Sequence, residues 1–152
     1  MTAFFRSFLL TAFCFVAISS YAQQHKTTSK AKPQAKPAAG GLAGSVAAGH
    51  SVYMQYCVSC HQVDGGGVQR MNPPLIKTTY VLGEKAKIIK IVLNGFSEDV
   101  DINGESYSNT MPSFDILKDQ EVADVLTYVR NSFTNKASAV KVSEVKALRG
   151  KK

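Results

Sequence analysis

The chain has 152 residues, of which 45% are hydrophobic and 19% charged, with no Trp, three Cys and a net charge of +7. That is enough chain for one domain, and it is too apolar to be disordered throughout. It is too short for a multidomain enzyme or a polytopic membrane protein, and too poor in Cys for a disulfide-built mini-fold.

The first segment has the pattern of an export signal: Arg6, an apolar run from Phe8 to Ile18, then small residues. Ser20-Tyr21-Ala22 meets the small-x-small rule, so residues 1–22 are expected to be removed by a cut after Ala22, leaving a periplasmic or otherwise exported protein. The apolar run of 11 residues falls short of the roughly 20 that a spanning helix needs. Cys14 is lost with the signal, because the bulky Phe13 before it does not suit a lipid-attachment site. Residues 23–44, rich in Lys, Pro, Ala and Gly, bury too little to order their backbone and read as a flexible linker.

The folded domain is expected over residues 45–135 and a basic tail over 136–152. The domain carries seven basic and ten acidic side chains, a net −3, while the segments before and after it each carry +5. Positive charge confined to the arms of an exported chain argues against a nucleic-acid partner. Such arms read either as solvated segments that keep the chain soluble or as tethers to an anionic membrane surface or an acidic partner.

Within the domain, Val46, Gly49, Tyr53, Tyr56 and Cys60 recur at spacings of three and four, predicting a helix from Ser45, its N-cap, to Ser59. Gly49 weakens that helix unless another crosses it closely. Gly65-Gly66-Gly67 and Pro73-Pro74 make residues 64–79 a loop. Glu84 to Leu93 is a second helix with Ile88, Ile89 and Val92 inward and Asn94-Gly95 as its stop. Val100 and Ile102 alternate before Asn103-Gly104, the pattern of a small hairpin. Val122, Val125, Leu126, Val129 and Phe133 mark the last helix, with Asp119 and Glu121 in its first turn.

A core of this size usually carries a staple. Cys57-Val58-Ser59-Cys60-His61 supplies one: C-x-x-C-H is the attachment signal for c-type haem. Thiols at i and i+3 lie on one side of a helical turn, within reach of two vinyl groups of one porphyrin. His61 then falls under the iron as the proximal ligand. A zinc site would need two more ligands, and only His25 and His50 remain as further imidazoles after the signal is removed. A disulfide between Cys57 and Cys60 would close a trivial loop and stabilise little.

For the sixth ligand there are three methionines after the signal, Met54, Met71 and Met111. Met54 shares the helix that supplies His61 and cannot readily reach the opposite face. Met71 lies near the proximal loop. Met111 stands 50 residues beyond His61, far enough for the chain to wrap the porphyrin, and Pro112 keeps it out of regular helix.

Gly49-x3-Tyr53-x3-Cys57, Pro73-Pro74-Leu75, Asn109-Thr110-Met111-Pro112 and the final Leu126-Thr127-Tyr128-Val129-Arg130 occur in the order found in class I cytochromes c, and residues 46–135 resemble that family. The resemblance implies an all-α cytochrome c fold, three to four helices around one covalent haem, with the hairpin preceding the Met loop. It implies Pro73 as the carbonyl acceptor for His61, with Pro74 the alternative, and Leu75 packed on the haem. Asn94 and Tyr107 are candidates to bind a propionate or brace the Met loop. Two features depart from the family pattern: Lys118 replaces a capping Ser or Thr, and Asp101–Tyr107 is an insertion.

The function implied is electron transfer rather than catalysis, by a monomer passing one electron at a time from a respiratory or quinoprotein-type dehydrogenase to an acceptor such as a terminal oxidase. The alternatives are a haem enzyme or gas sensor with a labile sixth ligand, and an electron-transfer subunit docked in a dehydrogenase complex.

Overall fold

The computed structural model describes residues 40–151. The expected signal peptide and the linker as far as residue 39 lie outside the described residues. The elements in chain order are α1 (Gly41–Tyr56), α2 (Val58–His61), α3 (Thr79–Leu82), α4 (Lys85–Asn94), β1 (Val100–Ile102), β2 (Glu105–Tyr107), α5 (Asp119–Asn131) and α6 (Val142–Leu148).

The crossing of α1 and α5 organises the domain. Gly49 is buried against α5, where a Cβ would lie 2.0 Å from the Asp124 carbonyl oxygen and 2.7 Å from Tyr128 Cβ. Only the absence of a side chain permits that approach. Tyr53, one turn further on, is fully buried and meets the rings of Tyr128 and Phe133 at 5.3 Å centroid separations. Its hydroxyl donates to the carbonyl of Gln62 just past α2, tying the crossing to the Cys57–His61 turn.

α1 begins one turn before the expected start, taking in four residues assigned to the linker. Ser45 is therefore not the N-cap. Its hydroxyl donates across the crossing to the Asp124 carboxylate, which is buried and also receives Gln120 Nε2 at 3.0 Å. At the start of α5 the missing Ser or Thr cap is replaced from within. The Lys118 amide donates to the Glu121 carboxylate at 2.8 Å, the reciprocal half of a capping box.

β1 and β2 form the expected antiparallel hairpin, pairing Val100 with Tyr107, Asp101 with Ser106 and Ile102 with Glu105. Asn103 and Gly104 both take positive φ, 55° and 84°, the geometry of a two-residue turn that follows strand twist. Ile102 and Tyr107 are buried by it.

Residues 136–151 do not form a solvated tail. Val140 and Val145 are buried, and Val142 and Leu148 pack on the same core. Thr127 Oγ1 receives the Val140 amide at 3.0 Å, and Lys85 pairs with Glu144 at 2.6 Å. Arg130, itself buried, donates from Nε to the Ser138 carbonyl at 2.9 Å and from Nη1 to the carbonyls of Val81 and Gly83. The apolar positions in this segment are too few among its lysines to show a stripe. Their burial is created by the faces that α4 and α5 offer.

Candidate functional site

The Cys57–His61 turn opens where α1 ends. Amides of Cys60 and His61 both donate to the Cys57 carbonyl, at 3.2 and 3.0 Å, which turns the two cysteines toward one side. His61 is buried, and its Nδ1–H donates to the carbonyl of Pro73 at 3.0 Å. Pro73 rather than Pro74 is thus the acceptor. That bond fixes the tautomer and leaves Nε2 as the ring nitrogen available to a metal.

The glycine loop exists to present that carbonyl. Gly67 takes φ +69°, and a Cβ there would stand 2.3 Å from the Asn72 carbonyl oxygen and 2.7 Å from that of Pro73. The Gly67 amide donates to the His61 carbonyl at 3.1 Å, and Leu75 returns to Gly65 at 2.7 Å. Asn135 completes the brace. Its Nδ2 donates to Leu75 and Val129 carbonyls at 2.9 and 2.8 Å, and its Oδ1 receives the Lys77 amide at 2.8 Å. No sequence signal marked Asn135, because its partners come from two segments far away in sequence or on another element, the 75–77 loop and α5.

Cys57, Cys60 and His61 open onto a cavity of about 370 Å³. Met111 lines the same cavity, together with apolar side chains, among them Leu75, Ile88, Val92, Phe96 and Phe114. The loop bearing Met111 is stitched to the end of α4. Met111 and Phe96 exchange backbone hydrogen bonds at 2.7 and 2.9 Å, Phe114 N–H donates to the Val92 carbonyl at 2.9 Å, and Ser113 Oγ donates to the Leu93 carbonyl at 2.6 Å. Gly95 allows the approach: its φ is +80°, and a Cβ would lie 2.7 Å from the Met111 carbonyl oxygen.

Burial governs the ionisation of the site. It pushes the Cys57 thiol up to about 11, with Cys60 adding a smaller push in the same direction. Burial also lowers the His61 imidazole below 6.5, against a smaller opposing effect of the Pro73 hydrogen bond. A large apolar cavity lined by two thiols, an imidazole and a thioether matches the donor set for haem c.

The structure thus brings Cys57, Cys60, His61, Pro73, Leu75, Tyr107 and Met111 to one cavity. Asn94 is not among them. It is exposed at the end of α4, and its Nδ2 donates to the Lys151 carbonyl at 3.4 Å. Its place on the outer face of α4, opposite Ile88 and Val92, is the reason. Met54 and Met71 are exposed and do not line the cavity. Thr78 and Tyr80 do line it and gave no signal in the sequence. Thr78 caps α3 by accepting the Val81 amide at 3.1 Å.

The cytochrome c family profile matches residues 46–133, more than half of the chain. A cytochrome c-552 of Thermus thermophilus is 34% identical over 122 residues, which cover 74% of this chain and 81% of that protein. The cytochrome c subunit of a quinone alcohol dehydrogenase from Gluconobacter oxydans is 34% identical over 70% of this chain, but over only 23% of its own length. The gluconate 2-dehydrogenase cytochrome c subunit of Pantoea cypripedii is 36% identical over 66% of this chain and 24% of its own. Motif, helix crossing, cavity and relatives agree: the chain belongs to the cytochrome c family, with the helical fold, the covalent haem c on Cys57 and Cys60 and the electron-transfer function of that family.

Proposed function

We propose that His61 and Met111 ligate the haem iron from opposite faces, and that the protein is an exported monomer carrying single electrons from a quinoprotein or respiratory dehydrogenase to an acceptor such as a terminal oxidase. The observation that carries the ligand assignment is that, among the described residues, Met111 is the methionine in the cavity while Met54 and Met71 are exposed outside it.

Bound there, haem c supplies a one-electron iron couple. The side chains do the rest. Pro73 orients His61 through Nδ1. Met111 would hold the iron as its second protein ligand, which would exclude O2 and peroxide and favour the reduced iron. Leu75, Val92, Phe96 and Phe114 exclude water around it. With both His61 and Met111 as ligands, the iron would have no open site, which favours a carrier over a peroxidase or gas sensor.

The dehydrogenase as donor is supported by relatives that are cytochrome c subunits of alcohol and gluconate dehydrogenases. The same relatives favour a second reading, a subunit held in such a complex. Export is supported by the signal pattern in residues 1–22. Among the described residues no helix is long and apolar enough to cross a membrane.

Met111→Ala should lower the reduction potential and open the iron to added ligands. If Met111→Ala keeps the thioether-ligated spectrum while Met71→Ala loses it, the assignment is wrong. Mild co-purification identifies the donor, and a monomer active with soluble partners separates the carrier from the docked subunit.

A further inference from the structure

Residues 108–118 link the hairpin to α5 without regular structure of their own apart from the bridge between Met111 and Phe96. The first half of this loop is held by α4 and by Phe96, as described above. The second half is held by the far end of the chain. Arg149 Nη1 donates to the Asp115 carbonyl at 2.9 Å and Nη2 to the Leu117 carbonyl at 2.7 Å, while Nε pairs with the Asp119 carboxylate at 2.5 Å. One guanidinium therefore joins the loop to the first residue of α5. It is delivered there by α6, which is anchored through the fully buried Val145 and the Lys85–Glu144 pair at 2.6 Å.

We propose that Arg149 is a positioning residue for Met111: its three-way fork holds the distal loop closed over the cavity and so sets how often Met111 leaves the iron. The inference rests on the reading of Met111 as the axial ligand. A planar fork that serves two carbonyls and a carboxylate together cannot be replaced by a point charge. The carbonyls of Asp115 and Leu117 lie four and six residues beyond Met111, so freeing them removes the anchor on the far side of the loop and leaves Met111 held only from the α4 side, through Phe96, Leu93 and Val92. Arg149 then acts on the closed–open equilibrium of the loop, not on the closed state itself.

An added ligand can take the axial position only when the loop is open, so its apparent affinity is the intrinsic affinity reduced by the open fraction. The test is an imidazole titration of the ferric full-length holoprotein, followed by loss of the thioether-to-iron charge-transfer band. Arg149→Gln should bind imidazole about tenfold more tightly than wild type, equivalent to about 1.4 kcal/mol. Arg149→Lys should behave like Arg149→Gln, because a lysine keeps the charge but not the fork. Lys85→Met cuts the opposite end of the same segment, where Nζ reaches Glu144 and the Ala139 carbonyl. It loosens α6 without removing the fork, so its gain in imidazole binding should fall clearly short of that of Arg149→Gln.

Loss of the band in Arg149→Gln before any imidazole is added, with helical circular dichroism intact, is the same effect at its limit and supports the proposal. Imidazole binding by Arg149→Gln within about twofold of wild type overturns it. So does an equal gain in Lys85→Met, or full restoration by Arg149→Lys. If the wild-type protein itself lacks the thioether band, the assignment of Met111 fails and this inference falls with it. If wild type shows the band and Arg149→Gln changes nothing, the inference alone fails.

Discussion

Gly49 on α1 faces the main-chain carbonyl of Asp124 on α5 so closely that a Cβ at residue 49 would stand 2.0 Å from that oxygen. In an open helix, replacing Gly by Ala adds about 1 kcal/mol of stability. Here the neighbouring atoms are backbone of a buried helix and cannot step aside. Both helices contribute to the cavity wall, through Tyr53 and Tyr56 on one side and Val125, Leu126 and Val129 on the other. Gly49→Ala is therefore expected to destabilise the holoprotein by about 1–3 kcal/mol through overpacking, and Gly49→Leu by more. Denaturant unfolding measures it, and wild-type stability in either variant would show that the helices do not meet this way.

Haem attachment is testable without any partner. On a denaturing gel stained for haem peroxidase activity, the colour should stay with the wild-type polypeptide. Cys57→Ser and Cys60→Ser should each leave a single thioether and reduce the stain, and the double variant should lose it. Colour that runs free of the wild-type chain would refute the covalent link.

Deleting residues 136–152 removes two buried valines, Val140 and Val145, and strips Arg130 of its Ser138 acceptors. Full burial of such side chains contributes about 1.5–3 kcal/mol each, and that range is an upper estimate because unfolded chains already bury some surface. A protein ending at Asn135 should lose about 4 kcal/mol. Thermal unfolding at the wild-type midpoint would show that α6 adds nothing to the fold.

The docking of α6 should weaken on the acid side. The Glu144 carboxylate accepts the Lys141 amide at 2.7 Å and pairs with Lys85 at 2.6 Å. The Lys141 hydrogen bond first, and the Lys85 hydrogen bond after it, hold the carboxyl below its usual 4.5. A carboxyl whose folded pKa is depressed contributes stability above its unfolded pKa and loses it as pH falls through the folded value. Amide exchange in Val142–Leu148 should thus accelerate as pH drops below 4.5, beyond the intrinsic pH dependence. Glu144→Gln should show the faster exchange already at neutral pH and little further change. An unaltered profile in Glu144→Gln would rule out this anchor.

Local chemistry made much of this protein readable before folding. Cys57, Cys60 and His61 carry their meaning in contiguous spacing. Val122 to Val129 declare a helix because the apolar period is local, and Asn103-Gly104 declares a turn because positive φ is a property of those two residues. Met111 could be chosen by chain distance and by Pro112, with the cavity supplying the contrast to the exposed Met54 and Met71.

Tertiary structure decided the rest, where a residue's role depends on partners far along the chain. Residues 136–152 look like a basic tail because three lysines, an arginine and a glutamate surround only Val140, Val142, Val145 and Leu148 through residue 149. They become part of the core because α4 and α5 leave an apolar face for those four side chains to cover. Asn94 sits beside the Met111 loop in sequence logic, yet helix geometry turns it outward to Lys151. Asn135 and Arg149 have no local signature at all. One joins Leu75, Lys77 and Val129, and the other joins Asp115, Leu117 and Asp119. A hydrogen-bonding side chain acquires such a function only when folding brings its acceptors within about 3 Å, and no pattern of neighbours in sequence encodes that distance.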